Sequence, residues 1–268
     1  MSQDSTLPAV LVDRDQNVMI ITINRPDARN AINQAVHIGV GDALEAADRD
    51  PEVRVVILTG AGDKAFCAGA DLKAVARGEA LLPDDPVQQA WGFAGYVSHH
   101  ISKPTIAAVN GAAMGGGTEI TLASDLAVAD ETATFGLPEV KRGIYAGAGG
   151  AFRIGRQVPA KIAMEMLLTG EPITAARALD LGLINAVAPQ GQVLDAALKL
   201  AARISANAPL AVQASKRIAR GMIDGKVAAE SELWAMSRRE GAALMTSEDA
   251  REGPRAFAEK RDPVWKAR

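Results

Sequence analysis

Two glutamates of this chain lie twenty positions apart, each directly behind a segment that brings the main chain close to a ligand. Glu119 follows the glycine run Gly115-Gly116-Gly117, and Glu139 follows Leu137-Pro138. Two carboxyl groups beside free backbone amides can move a proton while the amides hold a negatively charged oxygen. This chemistry needs neither a metal nor a separate cofactor, and we expect neither.

Three segments present the backbone around these glutamates. In Phe66 to Lys73, small residues at positions 68 to 70 leave amide groups uncovered. Asn110 to Glu119 runs from a strand into a helix, so free amides and the positive end of the helix dipole meet at the glycines. In Gly136 to Glu139, Pro138 fixes the backbone just before the carboxylate. Two such loops facing each other would form an oxyanion hole.

Other glycine, cysteine and histidine residues receive plainer interpretations. Gly147 to Gly150 is read as a tight turn and a helix start, and Cys67 as a small buried residue. His99-His100 is placed at the end of a helix, where a cation suits the dipole. An isolated glutamate such as Glu119 is usually a solvated first-turn residue; Glu139 and the two loops together favour the catalytic interpretation.

The elements that must position these residues follow an α/β pattern from Val18 to about Ala188. Short apolar runs rich in Val, Ile and Thr predict strands, and 3.6-residue periodicity predicts helices between them. The predicted strands are Val18 to Asn24, Val53 to Thr59, Thr105 to Val109 and Leu126 to Ala129, with an extended piece at Thr134-Phe135. The predicted helices follow Asn33, run from Val87 to Ile101, and run from Gly116 to Ser124. Such alternation indicates a parallel sheet with outer helices.

The last quarter of the chain has a different character. From about Gln192 to Lys260 the strand signals vanish, and helix-forming residues dominate. We therefore divide the chain into residues 1–191, a core that carries the site, and residues 192–268, a helical region. The apolar residues of that region are numerous for a free-standing tail, so we expect another surface to cover it.

Composition and motifs exclude several classes of function. A formal charge of −3 over 268 residues gives no field that would gather nucleic acid or an anionic membrane. The only cysteine and the three histidines offer no zinc spacing, and no stretch is long and apolar enough to span a bilayer, so we expect a soluble, cytoplasmic protein. No P-loop or G-x-S-x-G elbow occurs, and Gly60 to Ala65 fits the Rossmann fingerprint only in its loose form, without a clear helix behind it.

At these residues the chain resembles the crotonase superfamily, closest to the enoyl-CoA hydratases. The likeness extends from Asn24-Arg25-Pro26 through the three segments above to Ala258-Glu259-Lys260-Arg261. It implies a spiral of β-β-α turns with a C-terminal helical region that builds trimers, commonly paired into hexamers. The oxyanion hole would then consist of the backbone amides of Ala70 and Gly116, with Glu119 and Glu139 as catalytic carboxylates.

The resemblance also implies a ligand and its binding residues. Coenzyme A, as part of the substrate, would lie along the stretch that includes Ala68, Asp71, Leu72 and Lys73, and Lys260 would reach a CoA phosphate, often from a neighbouring subunit. The implied reaction is the addition of water to a trans-2-enoyl-CoA, giving a 3-hydroxyacyl-CoA. Glu139 would be the main acid and base, and Glu119 would hold the water.

Three alternatives to hydration stay open. A double-bond isomerase or a carnitinyl-CoA dehydratase could use the same scaffold, although isomerases of the family can work with one carboxylate. RNA binding, shown by some crotonase relatives, is a remote alternative because the chain lacks a basic-aromatic patch. The chain departs from the commonest hydratase pattern at Ala146 and at Ala151-Phe152, near where acyl tails run, so the acyl group is left open.

Overall fold

The computed structural model describes residues 7–268 and contains two main sheets and a small two-stranded one, β11-β12. The larger sheet has six strands in the order β1-β2-β3-β5-β7-β10, and the smaller has four in the order β4-β6-β8-β9. The strands are β1 Val10–Asp15, β2 Val18–Ile23, β3 Val55–Gly60, β4 Ala65–Cys67, β5 Thr105–Val109, β6 Ala112–Met114, β7 Leu126–Asp130, β8 Thr134–Gly136, β9 Ile173–Thr174, β10 Ala186–Ala188, β11 Met222–Ile223 and β12 Lys226–Val227.

Helices surround both sheets and make up most of the C-terminal region. Several are short, and the longest follows β2 directly in the spiral. The α-helices are α1 Gln34–Arg49, α2 Leu72–Ala76, α3 Pro86–Ala90, α4 Gly116–Ala123, α5 Gly150–Gln157, α6 Ala160–Thr169, α7 Ala175–Asp180, α8 Val193–Ser205, α9 Pro209–Arg220, α10 Ser231–Leu244 and α11 Glu248–Glu259. Short 3-10 helices occupy Pro26–Ala28, Phe93–Gly95, Pro138–Arg142 and Ala228–Glu230.

Each turn of the spiral contributes one strand to each sheet. Strands β3, β5 and β7 run parallel in the large sheet, and the strand that follows each of them, β4, β6 or β8, runs parallel in the small sheet. A helix then closes the turn. The predicted α/β class and the β-β-α spiral are both confirmed. Because β4, β6 and β8 are parallel neighbours, the segments that leave their carboxyl ends emerge at one edge of the small sheet.

The large sheet is buried on both faces. Val56 and Leu58 of β3 face the core that contains α1 and α4, whereas Val55 and Ile57 face α8. This period-two alternation within an unbroken apolar run is typical of a parallel strand covered on both sides. Helix α8 packs against β3, β5 and β7, so it covers the large sheet directly. The division of the chain at residue 191 stays a prediction about independent units.

The C-terminal helices are largely exposed in the single chain. Leu210 and Ile218 of α9 and Phe257 of α11 expose more than half of their surfaces. Within residues 7–268, no helix is both long and apolar enough to cross a membrane. The region also contains a hairpin of two antiparallel strands, β11 and β12, of two residues each. The helical composition after Gln192 did not predict it.

The helix predicted from Val87 to Ile101 is wrong. Only Pro86–Ala90 is α-helical, and the chain then turns through positive φ values of 73° at Gly92, 62° at Ala94 and 65° at Gly95. A Cβ on Gly95 would lie 2.1 Å from the carbonyl oxygen of His37, so this close approach to α1 requires glycine. The four apolar residues of this segment that were expected to be core residues are nevertheless buried, whereas Val87 is exposed; the four are Trp91, Ala94, Val97 and Ile101.

The histidine pair consequently lies in irregular structure instead of at a helix end. His99 stacks on Trp91 with ring centroids 4.8 Å apart and pairs with Glu45 at 3.0 Å. Burial, together with the charge of Arg153, lowers the pKa of His100 to about 4. His100 is therefore neutral at physiological pH.

Candidate active site

The loop after β4 is held against the rest of the core by backbone pairing. Ile32 donates its N–H to Gly69 O at 2.8 Å and accepts from the Asp71 N–H at 2.9 Å. In a trans peptide the C=O and the N–H point in opposite directions, so the N–H of Ala70, in the same peptide as Gly69 O, points away from Ile32. Gly69 has a φ of 89°, a conformation that favours glycine.

The loop after β4 lies directly against the segment after β6. A Cβ on Gly69 would be 3.2 Å from Met114 O and 3.4 Å from the amide nitrogen of Gly116. Gly116 is the first residue of α4, where amide groups have no acceptor within the helix. The amides of Ala70 and Gly116, predicted as a pair of oxyanion donors, are thus carried by two loops in contact.

Close packing fixes the start of α4 on both sides. A Cβ on Gly117 would lie 2.2 Å from Cys67 O, and a Cβ on Gly116 would lie 2.2 Å from the Phe93 ring. The glycine run is therefore required by space. Phe93, from the segment that turns at Gly92, is a neighbour of the site that the sequence pattern did not single out.

Glu119 projects from the first turn of α4 into the interior. The side chain is buried, and its Oε1 accepts the N–H of Gly150, the first residue of α5, at 2.9 Å. Burial, followed by the negative charge of Glu139, raises the pKa of Glu119 well above the usual glutamate range. The second glycine run does start a helix, as predicted, and in addition holds Glu119, which was not predicted.

Glu139 lies on the 3-10 helix Pro138–Arg142 that follows β8. A Cβ on Gly115 would be 2.9 Å from Glu139 Oε1, so this carboxyl group lies against the glycine run. Its Oε2 is buried and, within residues 7–268, has no hydrogen-bond partner. Burial raises the pKa of Glu139. An unpaired carboxyl oxygen at this place is available to a water or a reacting proton.

In the predicted CoA-binding stretch, some side chains are exposed to solvent and one, that of Asp71, is hydrogen-bonded to other residues of the protein. Ala68, Leu72 and Lys73 are exposed. The Asp71 carboxylate instead caps α2 by accepting the amides of Lys73 and Ala74, and pairs with Arg25 at 2.8 Å. Although burial opposes it, the Ala74 hydrogen bond and Arg25 hold the pKa of Asp71 below its usual range. Asp71 thus shapes the loop, with Arg25 as a supporting residue that was not predicted.

Lys260 is exposed at the C-terminal end of α11. Helix α11 packs against Pro138–Arg142, where a Cβ on Gly253 would meet Arg142 O at 2.0 Å. The contacts that join the three loops do not involve Lys260.

The site can therefore perform a defined kind of chemistry. Two backbone donors can stabilise an oxyanion, and two carboxyl groups with raised pKa values can exchange a proton with a ligand near neutral pH. Since the charge of one opposes ionisation of the other, one protonated and one ionised carboxyl group is the favoured state.

The two sheets, the spiral of turns and the three converging loops define a crotonase-fold protein. The chain belongs to the enoyl-CoA hydratase/isomerase family, whose family model matches residues 13–268. It is an enzyme of that family.

Known relatives of the chain cover nearly its whole length. Enoyl-CoA hydratase EchA19 of Mycobacterium tuberculosis is 44% identical over 266 residues, 97% of this chain and 97% of the relative. A carnitinyl-CoA dehydratase of Salmonella agona is 44% identical over 258 residues, 95% of this chain and 97% of the relative. The solved structure of carnitinyl-CoA hydratase from Mycobacterium avium is 63% identical, with a TM-score of 0.96, 98% of this chain covered and 100% of the other.

Proposed function

We propose that this enzyme adds water across the double bond of a trans-2-enoyl-CoA to give a 3-hydroxyacyl-CoA. The observation that carries the proposal is the pair of buried glutamates, Glu119 fixed by the Gly150 amide and Glu139 with an unpaired oxygen. Both have raised pKa values, so these carboxyl groups can hold or release a proton near neutral pH. An isomerase can work with one such group, whereas orientation and deprotonation of a water use both.

The proposed reaction assigns a role to each group. The amides of Ala70 and Gly116 donate to the thioester oxygen, which takes up negative charge as the water oxygen bonds to C3. Glu119 orients the water, and Glu139 receives its proton and supplies a proton to C2. Removing one oxyanion donor from such a site costs about 100- to 1,000-fold in rate.

The CoA portion of the substrate is proposed to lie along the exposed part of the first loop. Ala68, Leu72 and Lys73 face solvent, and the Asp71 cap holds the loop in shape without reaching outward. Lys260 is proposed to bind a CoA phosphate. A homotrimer or hexamer, which would bring a second copy to this surface, is proposed because α9 and α11 leave large apolar side chains exposed. Light scattering that detects monomer alone would contradict the assembly.

Carnitinyl-CoA dehydration is the second candidate. It is favoured by one observation, the 63% identity to the carnitinyl-CoA hydratase of Mycobacterium avium over the whole chain. The chemistry is the same kind of reversible addition of water, and the two candidates differ in the acyl group, which for carnitine carries a quaternary ammonium.

A panel of enoyl-CoA esters distinguishes the candidates. Short, long, steroid-sized and quaternary-ammonium acyl groups are incubated with the enzyme, and mass spectrometry follows the gain of one water. Gain of water with apolar esters supports hydration of that class, and turnover restricted to the quaternary-ammonium ester selects the second candidate. A rearranged double bond without added water would show an isomerase and refute both.

The residue assignment is tested with Glu139→Gln. We expect the rate of hydration to fall by about 100- to 10,000-fold, because a positioned acid or base is worth that much, while CoA-ester binding is retained. Glu165→Gln, on the exposed face of α6, is the matched control and should keep the parent rate. Turnover by Glu139→Gln at the parent rate would show that Glu139 is not the acid and base.

A further inference from the structure

Thr118, one residue before Glu119 in α4, contacts β6 and β8, the strands that precede the segments of Glu119 and Glu139. It is fully buried in the first turns of α4. Its Oγ1 lies 2.7 Å from Ala113 O on β6, 3.0 Å from Gly136 N and 3.0 Å from Gly136 O on β8. One hydroxyl group therefore connects α4, on which it lies, to the two neighbouring strands β6 and β8.

The directions of these bonds follow from the atoms. The Gly136 amide can only donate, so the hydroxyl oxygen accepts from it. The single hydroxyl proton has two carbonyl oxygens within reach, and Ala113 O is the nearer. Gly136 O already accepts the Gly115 N–H at 2.8 Å. The hydroxyl thus accepts from β8 and donates to β6, a pair of bonds that a methyl group cannot replace.

Gly136, the last residue of β8, determines the direction in which the chain continues to Glu139. Only Leu137, which is fully buried, and Pro138, whose φ is fixed by its ring, separate Gly136 from Glu139. Gly136 itself is enclosed, since a Cβ there would lie 3.1 Å from Pro172 and 3.2 Å from the sulfur of Met114. A displacement of Gly136 is therefore passed on to the Glu139 carboxyl group.

We propose that Thr118 is a positioning residue whose hydroxyl group sets the placement of Glu139 relative to Glu119. The hydroxyl holds Gly136 against the helix that bears Glu119. The positions of both carboxyl groups therefore depend on the same residue, Thr118. The proposal rests on the proposed roles of the two glutamates. Thr118 does not contact the reacting atoms.

The test compares Thr118→Val, which keeps the branched shape and removes the hydroxyl, with Thr118→Ser, which keeps the hydroxyl. Thr121→Val is the matched control, because Thr121 is also buried in α4 but its hydroxyl donates only to Gly117 O of the same helix, at 3.0 Å. Kinetics of hydration and crystal structures are determined for the parent and all three variants.

We expect Thr118→Val to lower kcat by about 10- to 100-fold, since a misplacement of about 1 Å costs on the order of 100-fold. KM should stay within about twofold, because the CoA loop is not touched. Thr118→Ser and Thr121→Val should keep kcat within about threefold of the parent. In the crystal structures, the Glu139 carboxyl group of Thr118→Val should move relative to Glu119, and that of Thr121→Val should not.

Two outcomes would overturn the inference. One is a Thr118→Val enzyme with the parent kcat and unmoved carboxyl groups, and the other is equal losses in Thr118→Val and Thr118→Ser. If the parent adds no water to any ester, the proposed function fails, and the crystal structures alone then decide whether Thr118 positions Glu139. A displaced Glu139 would support the inference, and an unmoved one would refute it.

Discussion

The amide that holds Glu119 provides a sharp test of the site, because Gly150 can be changed while both glutamates are kept. Gly150 is the first residue of α5 and does not have a positive φ, so the backbone accepts alanine. The added Cβ, however, would lie 2.9 Å from Glu119 Cγ, 3.0 Å from Glu119 Oε1 and 2.9 Å from Ala146 Cβ. Gly150→Ala therefore pushes directly on the Glu119 side chain.

The size of the effect follows from these distances. Ordinary contact of a Cβ begins at 3.4 Å, so Glu119 or α5 must shift by about half an ångström. The start of α4 is closely packed, since a Cβ on Gly117 would lie 2.2 Å from Cys67 O. A misplacement of about 1 Å costs on the order of 100-fold in rate, so we expect kcat to fall by about 10- to 100-fold.

The assay is steady-state hydration of the enoyl-CoA ester that the panel identifies, with circular dichroism to confirm folding. Gly155→Ala, on the same helix, is the control, because its added Cβ would have its nearest neighbour at 3.9 Å. This variant should keep its rate and gain up to about 1 kcal/mol of helix stability. A folded Gly150→Ala enzyme with the parent kcat would refute the reasoning that the position of Glu119 matters. Equal losses in both variants would assign the effect to α5 in general.

Three further predictions concern stability and reactivity. Burial raises the pKa of Glu119, so the protonated carboxyl group stabilises the fold at low pH. This contribution is lost as the pH rises from about 4.3, the ordinary glutamate pKa, through neutrality. Over this pH range the free energy of unfolding of the parent in urea should therefore fall relative to that of Glu119→Gln. Glu230→Gln removes the carboxylate that pairs with the buried guanidinium of Arg153 and should lower the free energy of unfolding in urea by about 3–5 kcal/mol. Glu248→Gln, which breaks an exposed ion pair with Arg268, should change the free energy of unfolding by less than about 1 kcal/mol. Burial raises the pKa of the Cys67 thiol to about 12, so a thiol reagent should label it only on unfolding, and rapid labelling of the folded protein would contradict its burial.

Much of the candidate site could be predicted because its chemistry depends on local sequence. Glycines at 115 to 117 and small residues at 68 to 70 are needed wherever backbones approach closely, and Pro138 marks a fixed direction before Glu139. The long strands could be predicted because unbroken apolar runs are characteristic of parallel sheet.

The elements that were missed are those in which tertiary contact overrides local pattern. Strands β4 and β6 have three residues each, too few to show a period, whereas the equally short β8 was predicted as the extended piece at Thr134-Phe135. Strand β1 is largely exposed at the edge of the large sheet, and only its first three residues are apolar, before Asp13-Arg14-Asp15. The segment after Ala90 keeps helical spacing of apolar residues, but Gly92 and Gly95 let it fold back against α1. Those two glycines were the signal against a continuous helix.

The hydrogen bonds that support the glutamates have no sequence signature because their partners are distant in the chain. The Gly150 amide binds a carboxyl group 31 residues earlier, and the Arg25 guanidinium pairs with Asp71, 46 residues later. Only the fold brings these groups together. A helix start rich in glycine is compatible with many roles, and the particular one depends on what faces it.

The spiral explains why one site can draw on three distant segments with small tolerances. Each turn adds one short strand to the small sheet, and each strand is followed by one part of the proposed site: the Ala70 amide after β4, the Gly116 amide and Glu119 after β6, and Glu139 after β8. The register Met114 to Gly136 between β6 and β8 therefore fixes the offset between the two carboxyl groups. Because a sheet register changes only in whole residues, this offset is insensitive to variation at the surface. We expect differences in acyl preference to arise outside the small sheet, in segments such as 91–96 that contact the site without belonging to the sheet.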